Sequence, residues 1–195
     1  MKQSSSQRQL DGVRVAIISD TGFENAELLE PRHALDDEGA TTRVLSVNSG
    51  RIQGFRHDEP ADQVDVDQVL ADANPGEFDA VLLPGGVRNA DMLRTSRHAQ
   101  QFVREIDSHR KLLAVICHGP WLLVSAGLVA GRRLTSWPTL QDDVRNAGGT
   151  WVDAPVVVDR NWVSSRKPAD IPQFNAMFIE MLATQRRHES VAHGH

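Results

Sequence analysis

The chain has one cysteine, Cys117, and a histidine follows it at once in "LLAVICHGPWLL". A thiolate is a strong nucleophile near neutral pH, and an imidazole within reach can take or return its proton. The apolar run before Cys117 reads as a buried strand. Gly119 permits a tight turn, and Pro120 suits a first helical turn where its missing N–H costs nothing. This arrangement is a nucleophile elbow, a reactive side chain lifted at a strand-to-helix junction. Free amides at the start of the helix would favour the thiolate and could bind an oxyanion. The competing reading is a small buried side chain that closes a core strand.

His118 can act as base, as orienter, or as a polar lining residue, because consecutive residues on a sharp turn need not face each other. After it the next histidine is His188, in the polar C-terminal stretch. An amidotransferase whose histidine lies far downstream in the folded domain therefore finds no candidate. The loop after the first strand, "DTGFENAELLE", should reach the same sheet edge and supplies Glu24 as a candidate acid. An ionised carboxylate beside a thiolate would raise the thiol pKa, so Glu24 helps only when protonated. Glu24 and Glu27, three apart at a helix start, could equally be capping residues.

Strands must carry these loops. "VRVAIIS" (13–19), "TTRVLSV" (41–47), "EFDAVLLPGG" and "LLAVI" are apolar runs, and helical periodicity follows in the segments after Asp20, His98 and Pro120. Gly50 to Asp67 reads as a hairpin or irregular excursion. Beyond it come a short strand at "RRLTS", a helix around "LQDDVRNAGG", the pair "WVDAPVVVD" and "NWVSSR", and a final helix from Ile171 to Ala183. Alternation of this kind predicts an α/β fold of flavodoxin-like type, a mostly parallel central sheet with helices on both faces. Its ligands belong outside the carboxyl ends of the strands. One domain, residues 12–185, is expected between polar tails at 1–11 and 186–195.

With 26 acidic against 21 basic side chains the net charge is -5, which offers no broad cationic surface for nucleic acid or anionic lipid. No apolar window approaches the roughly 20 residues needed to span a bilayer. A lone cysteine forms no internal disulfide, and a cytoplasmic location is expected. "RRH" near residue 186 suits the end of a helix. The "HGH" at the C-terminus has no partner at ligand spacing, so neither metal nor cofactor is expected.

The sequence resembles the PfpI family of the ThiJ/PfpI superfamily over residues 13–183. The resemblance is carried by "GFENAELLEPRHALDDEG", "AVICHGPWLLVSAGLVAGRRLTSWP", "DDVRNAGGTWVDAPVVVD" and "NWVSSRKPADIPQFN". It implies Cys117 as nucleophile, Glu24 as the acid hydrogen-bonded to it, and His118 as catalytic neighbour. Gly85 and Gly86 of the Pro-Gly-Gly turn would offer oxyanion amides. A third acid, Asp91 in "GGVRNADMLR", would act across a subunit interface in a homodimer or larger homo-oligomer. Trp137 stands where relatives often have tyrosine and would shape the substrate pocket. The family implies a stress-protective enzyme acting on small reactive carbonyls as a glyoxalase or deglycase. An intracellular cysteine peptidase or amidohydrolase acting on peptides is the second reading. A redox-sensing stress protein or chaperone that works through Cys117 oxidation is the third.

Overall fold

A computed structural model describes residues 8–192, with side chains through His188. The chain opens with strand β1 (Arg14–Ile18), a two-residue strand β2 (Phe23–Glu24) and helix α1 (Asn25–Asp37). Strand β3 (Thr41–Ser46) follows, then an antiparallel hairpin of β4 (Arg51–Arg56) and β5 (Glu59–Asp65), and a short β6 (Gln68–Val69). Next come β7 (Ala80–Leu83), helices α2 (Val87–Thr95) and α3 (Arg97–Ser108), β8 (Leu112–Ile116) and α4 (Pro120–Ser125). The remainder is β9 (Arg133–Leu134), α5 (Gln141–Asn146), β10 (Thr150–Trp151), β11 (Val156–Asp159), β12 (Trp162–Ser165) and α6 (Ile171–Ala192).

Seven strands form the central sheet in the order β11-β12-β8-β7-β1-β3-β6, parallel except for the antiparallel β11–β12 pair. This is the flavodoxin-like architecture expected from the alternating pattern. Val15 and Ile17 of β1 pack with Leu28, Phe174 and Phe178 on one face, while Ala16 and Ile18 pack with Leu93, Phe102 and Leu122 on the other. Both faces of the strand are covered, which explains a continuous apolar run with no polar alternation. The chain leaves β1 toward β3 on one side, while β7 pairs on the other. The loops after β1, β7 and β8 therefore meet at one edge, the place where such sheets bind ligands.

The Gly50–Asp67 excursion is a hairpin, and β2 adds to it in parallel with Phe23 opposite Gly54 and Glu24 opposite Phe55. A side chain at Gly54 would strike the Phe23 ring and the Asn25 side-chain oxygen, each at 2.7 Å, so the contact requires glycine. Asn25 and Asp62 exchange two hydrogen bonds, of 2.8 and 3.1 Å, and pin the start of α1 to the hairpin.

Three features differ from the sequence reading. Helix α2 occupies a segment to which the sequence reading assigns no helix, because its inner face carries a polar residue, Asn89, while Val87 and Met92 face solvent, and the apolar period is broken. The final helix continues past Ala183 to Ala192, and the N-terminal segment is packed from Leu10, which is fully buried. Arg186 Nη1 donates to the carbonyl of Gln9 at 3.0 Å and ties the two ends together. Residues 1–7 and the "HGH" of 193–195 lie outside the described residues. No helix among those described is long and apolar enough to cross a membrane.

At the opposite edge of the sheet, Asp107 Oδ1 accepts from Arg132 Nη2 at 2.7 Å, Trp162 Nε1 at 2.7 Å and Asn161 Nδ2 at 3.1 Å. The Arg132 guanidinium carbon lies 4.3 Å from the Trp162 ring centroid, so the cation is held between a carboxylate and an indole. Asp107→Ala strands this buried cation and should cost about 3–5 kcal/mol. Arg51→Ala, which breaks the exposed pair with Asp65, should cost under about 1 kcal/mol. Urea midpoints of the two variants check the contrast, and equal losses would refute it.

Candidate active site

Strand β8 ends at Ile116, and the next residue turns the chain with φ +60°, a left-handed conformation that costs a non-glycine residue roughly 1–2 kcal/mol. That residue is Cys117. Its strain is held by satisfied backbone groups: its N–H donates to Ser165 O at 3.1 Å, and its carbonyl accepts from Trp137 N at 2.9 Å. Gly119 then passes so close to β7 that a side chain would stand 2.8 Å from Leu83 O. Pro120 begins α4 as expected, but that helix has only six residues, so the amides around the sulfur matter more than a macrodipole. Those amides belong to Gly86 and His118, and both lower the thiol pKa.

The acid at the thiol is Glu27, where the sequence reading places Glu24. The carboxyl of Glu27 is fully buried beside Cys117, close enough that each group shifts the other's pKa, and its Oε2 accepts from Gly85 N at 2.9 Å. Glu24 belongs to β2, pairs with the hairpin, and accepts from His57 N at 3.3 Å. Because β2 delays the start of α1 to Asn25, the inward-facing carboxylate of the first turn is the one three residues later.

Burial pushes the Glu27 pKa up to about 8, and the charge of Glu24 adds to this, against the pull of the Gly85 amide. At neutral pH the group is therefore mainly a neutral acid. Burial pushes the Cys117 thiol up, and an ionised Glu27 pushes it further. The two groups thus compete for one negative charge, and with the proton on Glu27 the thiolate loses a repulsion and gains a hydrogen-bond donor.

His118 Nδ1 lies 3.2 Å from the sulfur. Its ring stacks on Trp137 at a centroid distance of 6.0 Å and meets Trp121 edge-on at 5.3 Å. Burial lowers its pKa to about 4, so the imidazole is neutral at physiological pH.

The Gly85 amide, expected to serve an oxyanion, is taken by Glu27, which leaves Gly86. At φ +91°, Gly86 admits no side chain, since a Cβ would overlap Gly22 O and stand 2.7 Å from Glu24 N. Sequence reading missed the residue that fixes this turn. Asn89 is fully buried, donates to Pro84 O at 3.1 Å and Gly85 O at 2.9 Å, and accepts from Asp20 N at 2.6 Å. It therefore joins the loops after β1 and β7. Asp91 is exposed on α2 and does not line the cavity. Trp137 does line it, at 36% exposure.

The resulting cavity measures about 430 Å³, with Cys117, His118 and Glu27 joined by Glu24, His57, Arg88 and Trp137. Among the described residues no group of three or more histidine, cysteine, aspartate or glutamate side chains is placed so that it could hold a metal ion.

The buried pair has consequences for stability. With its raised pKa, folded Glu27 keeps a proton that the unfolded chain releases above 4.5. Its contribution is thus fully present below 4.5 and is lost as pH rises through about 8. His118 has the opposite sign: the folded state refuses a proton that the unfolded chain accepts below 6.5, so stability is lost as pH falls from 6.5 through about 4. Thermal melts across about pH 4 to 9 should show Glu27→Gln flattening the loss that runs from pH 4.5 to about 8, on the order of 3–5 kcal/mol, and His118→Asn flattening the loss below pH 6.5. Wild-type and variant curves that run parallel would contradict these assignments.

Residues 13–181 of the chain match the DJ-1/PfpI family. A deglycase of Pyrococcus abyssi is 45% identical over 170 residues, covering 87% of this chain and 99% of that protein. Deglycase PfpI of Pyrococcus furiosus is 40% identical, again over 87% of this chain and 99% of the relative. The crystal structure of Drosophila melanogaster DJ-1beta superposes with a TM-score of 0.80 at 29% identity, covering 93% of this chain and 96% of that one.

Proposed function

We propose that this protein, which belongs to the DJ-1/PfpI family, is a stress-protective deglycase whose Cys117 thiolate attacks small reactive carbonyls, free or condensed onto amines. One observation carries the reading: a buried carboxyl whose pKa is about 8 lies against the only thiol, with the Gly86 and His118 amides turned to the sulfur. The relatives named deglycases support it.

In the reactive form the sulfur carries the negative charge and Glu27 the proton. Attack of Sγ on the aldehyde carbon of a 2-oxoaldehyde forms a C–S bond, and the oxygen takes the Glu27 proton to give a hemithioacetal. With an amine adduct the same attack breaks the C–N bond, and the amine leaves with that proton. Ionised Glu27 then removes the hydrogen from the sulfur-bearing carbon and returns it to the neighbouring carbon. The hydroxyl proton of the first carbon passes to the second oxygen, and the product is a thioester of a 2-hydroxy acid. Water adds to the thioester, its oxyanion stabilised by the amides of Gly86 and His118. C–S cleavage releases the hydroxy acid, and Glu27 recovers the proton as the thiolate re-forms.

A proton carrier works best with a pKa near the operating pH, which favours Glu27 at about 8 over His118 at about 4. His118 then serves as hydrogen-bond partner and amide donor. The peptidase reading lacks an orienting acid: among the described residues the His118 ring hydrogen-bonds only to Cys117. In a homo-oligomer Asp91, exposed on α2 beside Val87 and Met92, is the acid that a neighbouring subunit's site would receive. A thiol that must stay reduced to react suits the cytoplasm.

Methylglyoxal should be converted to lactate, and amines released from its adducts, by the wild type but not by Cys117→Ser. Glu27→Gln should lower kcat about 100- to 1000-fold while a neutral reagent still alkylates Cys117. Lactate formation surviving in Cys117→Ser would overturn the reading. So would the absence of turnover with oxidation confined to Cys117, which would point to the redox role instead.

A further inference from the structure

The core of the cavity is nearly free of cations. His118 is neutral at physiological pH, and no lysine lines the space. The one permanent positive charge on its wall is Arg88, on the exposed first turn of α2. Many arginines of this protein are paired, among them Arg32, Arg132 and Arg166. The Arg88 guanidinium has no hydrogen bond or ion pair among the described residues, although the carboxylates of Glu24 and Asp58 line the same cavity.

The stem of Arg88 is nonetheless fixed. A Cβ built on Gly22 would stand 2.6 Å from Arg88 Cβ, 2.9 Å from Cγ and 3.0 Å from Cδ, so the aliphatic chain lies across the bare backbone of the loop after β1. Gly22 itself has φ +97°, and its N–H donates to Gln53 O at 2.8 Å, which holds that loop against the hairpin. A guanidinium on an anchored stem, unpaired and facing the space that holds the nucleophile, is suited to receive a planar carboxylate through two parallel N–H bonds.

We infer that Arg88 is a specificity-determining residue that binds a carboxylate on the substrate, and that the preferred substrates are small carbonyl compounds or amino-acid adducts carrying a carboxylate a few bonds from the reacting carbon. This rests on the reading of the cavity as a carbonyl site. A volume of about 430 Å³ accommodates a ligand of that size. An uncharged 2-oxoaldehyde can react without this contact, whereas its adduct with a free amino acid gains both orientation and encounter rate from it.

Two independent readouts test the inference. The first needs no turnover: alkylation rates of Cys117 by iodoacetate and by iodoacetamide, compared as a ratio in the wild type, Arg88→Gln and Arg88→Lys. The wild-type ratio should exceed that of glutathione, fall about fivefold in Arg88→Gln, and largely survive in Arg88→Lys. A wild-type ratio no higher than that of glutathione, or one unchanged in Arg88→Gln, overturns the inference. The second readout compares kcat/KM for methylglyoxal adducts of alanine and of its N-methylamide, which lacks the carboxylate. The wild type should prefer the first, and Arg88→Gln should lose that preference; equal preference in both proteins likewise overturns it. If neither adduct is consumed while the alkylation ratio still falls in Arg88→Gln, the deglycase reading fails and the carboxylate contact stands.

Discussion

A buried carboxyl and a buried thiol share one negative charge, and much of the surrounding structure follows from that constraint. Glu27 and Cys117 come from different elements, the first turn of α1 and the turn after β8. Neither can ionise cheaply beside the other. The Gly85 amide holds one carboxylate oxygen in place, and the Gly86 and His118 amides hold the sulfur. The donors are backbone groups, so they are fixed by the fold and do not reorganise as charge moves between the pair.

Fixing them requires three glycines and one asparagine. A side chain at Gly85 would overlap the Glu27 carboxyl and lie 3.1 Å from the sulfur, and Gly86 and Gly119 are equally closed in by neighbouring backbone. Asn89 then holds the Pro-Gly-Gly turn from beneath, with both carbonyls before Gly86 accepting from its amide. The strained φ of Cys117 fits the same pattern, since local conformational cost is tolerated where long-range contacts over-determine the backbone.

Local sequence showed the sheet and the turn after β8 because their signals are local. β1, β7 and β8 are short apolar runs buried on both faces, and the C-H-G-P turn names its own geometry. The choice between Glu24 and Glu27 could not be read this way. It is set by β2 pairing with Gly54 and Phe55, some thirty residues away along the chain, and nothing near Glu24 announces that partner. Helix α2 was hidden for a related reason: a buried Asn89 and solvent-facing Val87 and Met92 invert the usual apolar code. The loss of Gly85 as an oxyanion donor follows from Glu27 itself, so a single non-local pairing accounts for two of the differences at the site.

The distribution of charge around the cavity separates reactivity from selection. In the interior, burial between two indoles keeps His118 uncharged, and burial keeps a proton on Glu27, so the only charge that has to form there is on the nucleophile. A protonated histidine beside the sulfur would stabilise the thiolate more strongly, but it would also lower the basicity that makes the sulfur reactive. In the proposed reaction a neutral acid avoids that cost: it stabilises the anion by a hydrogen bond and still has a proton to give when the carbonyl oxygen needs one. Charges that discriminate among substrates are then best kept away from the sulfur. The cavity wall has such groups in Arg88, Glu24 and Asp58, where water lowers the cost of carrying them. In the proposed reaction, a change at the wall can therefore alter which carbonyl is bound without altering the chemistry performed on it.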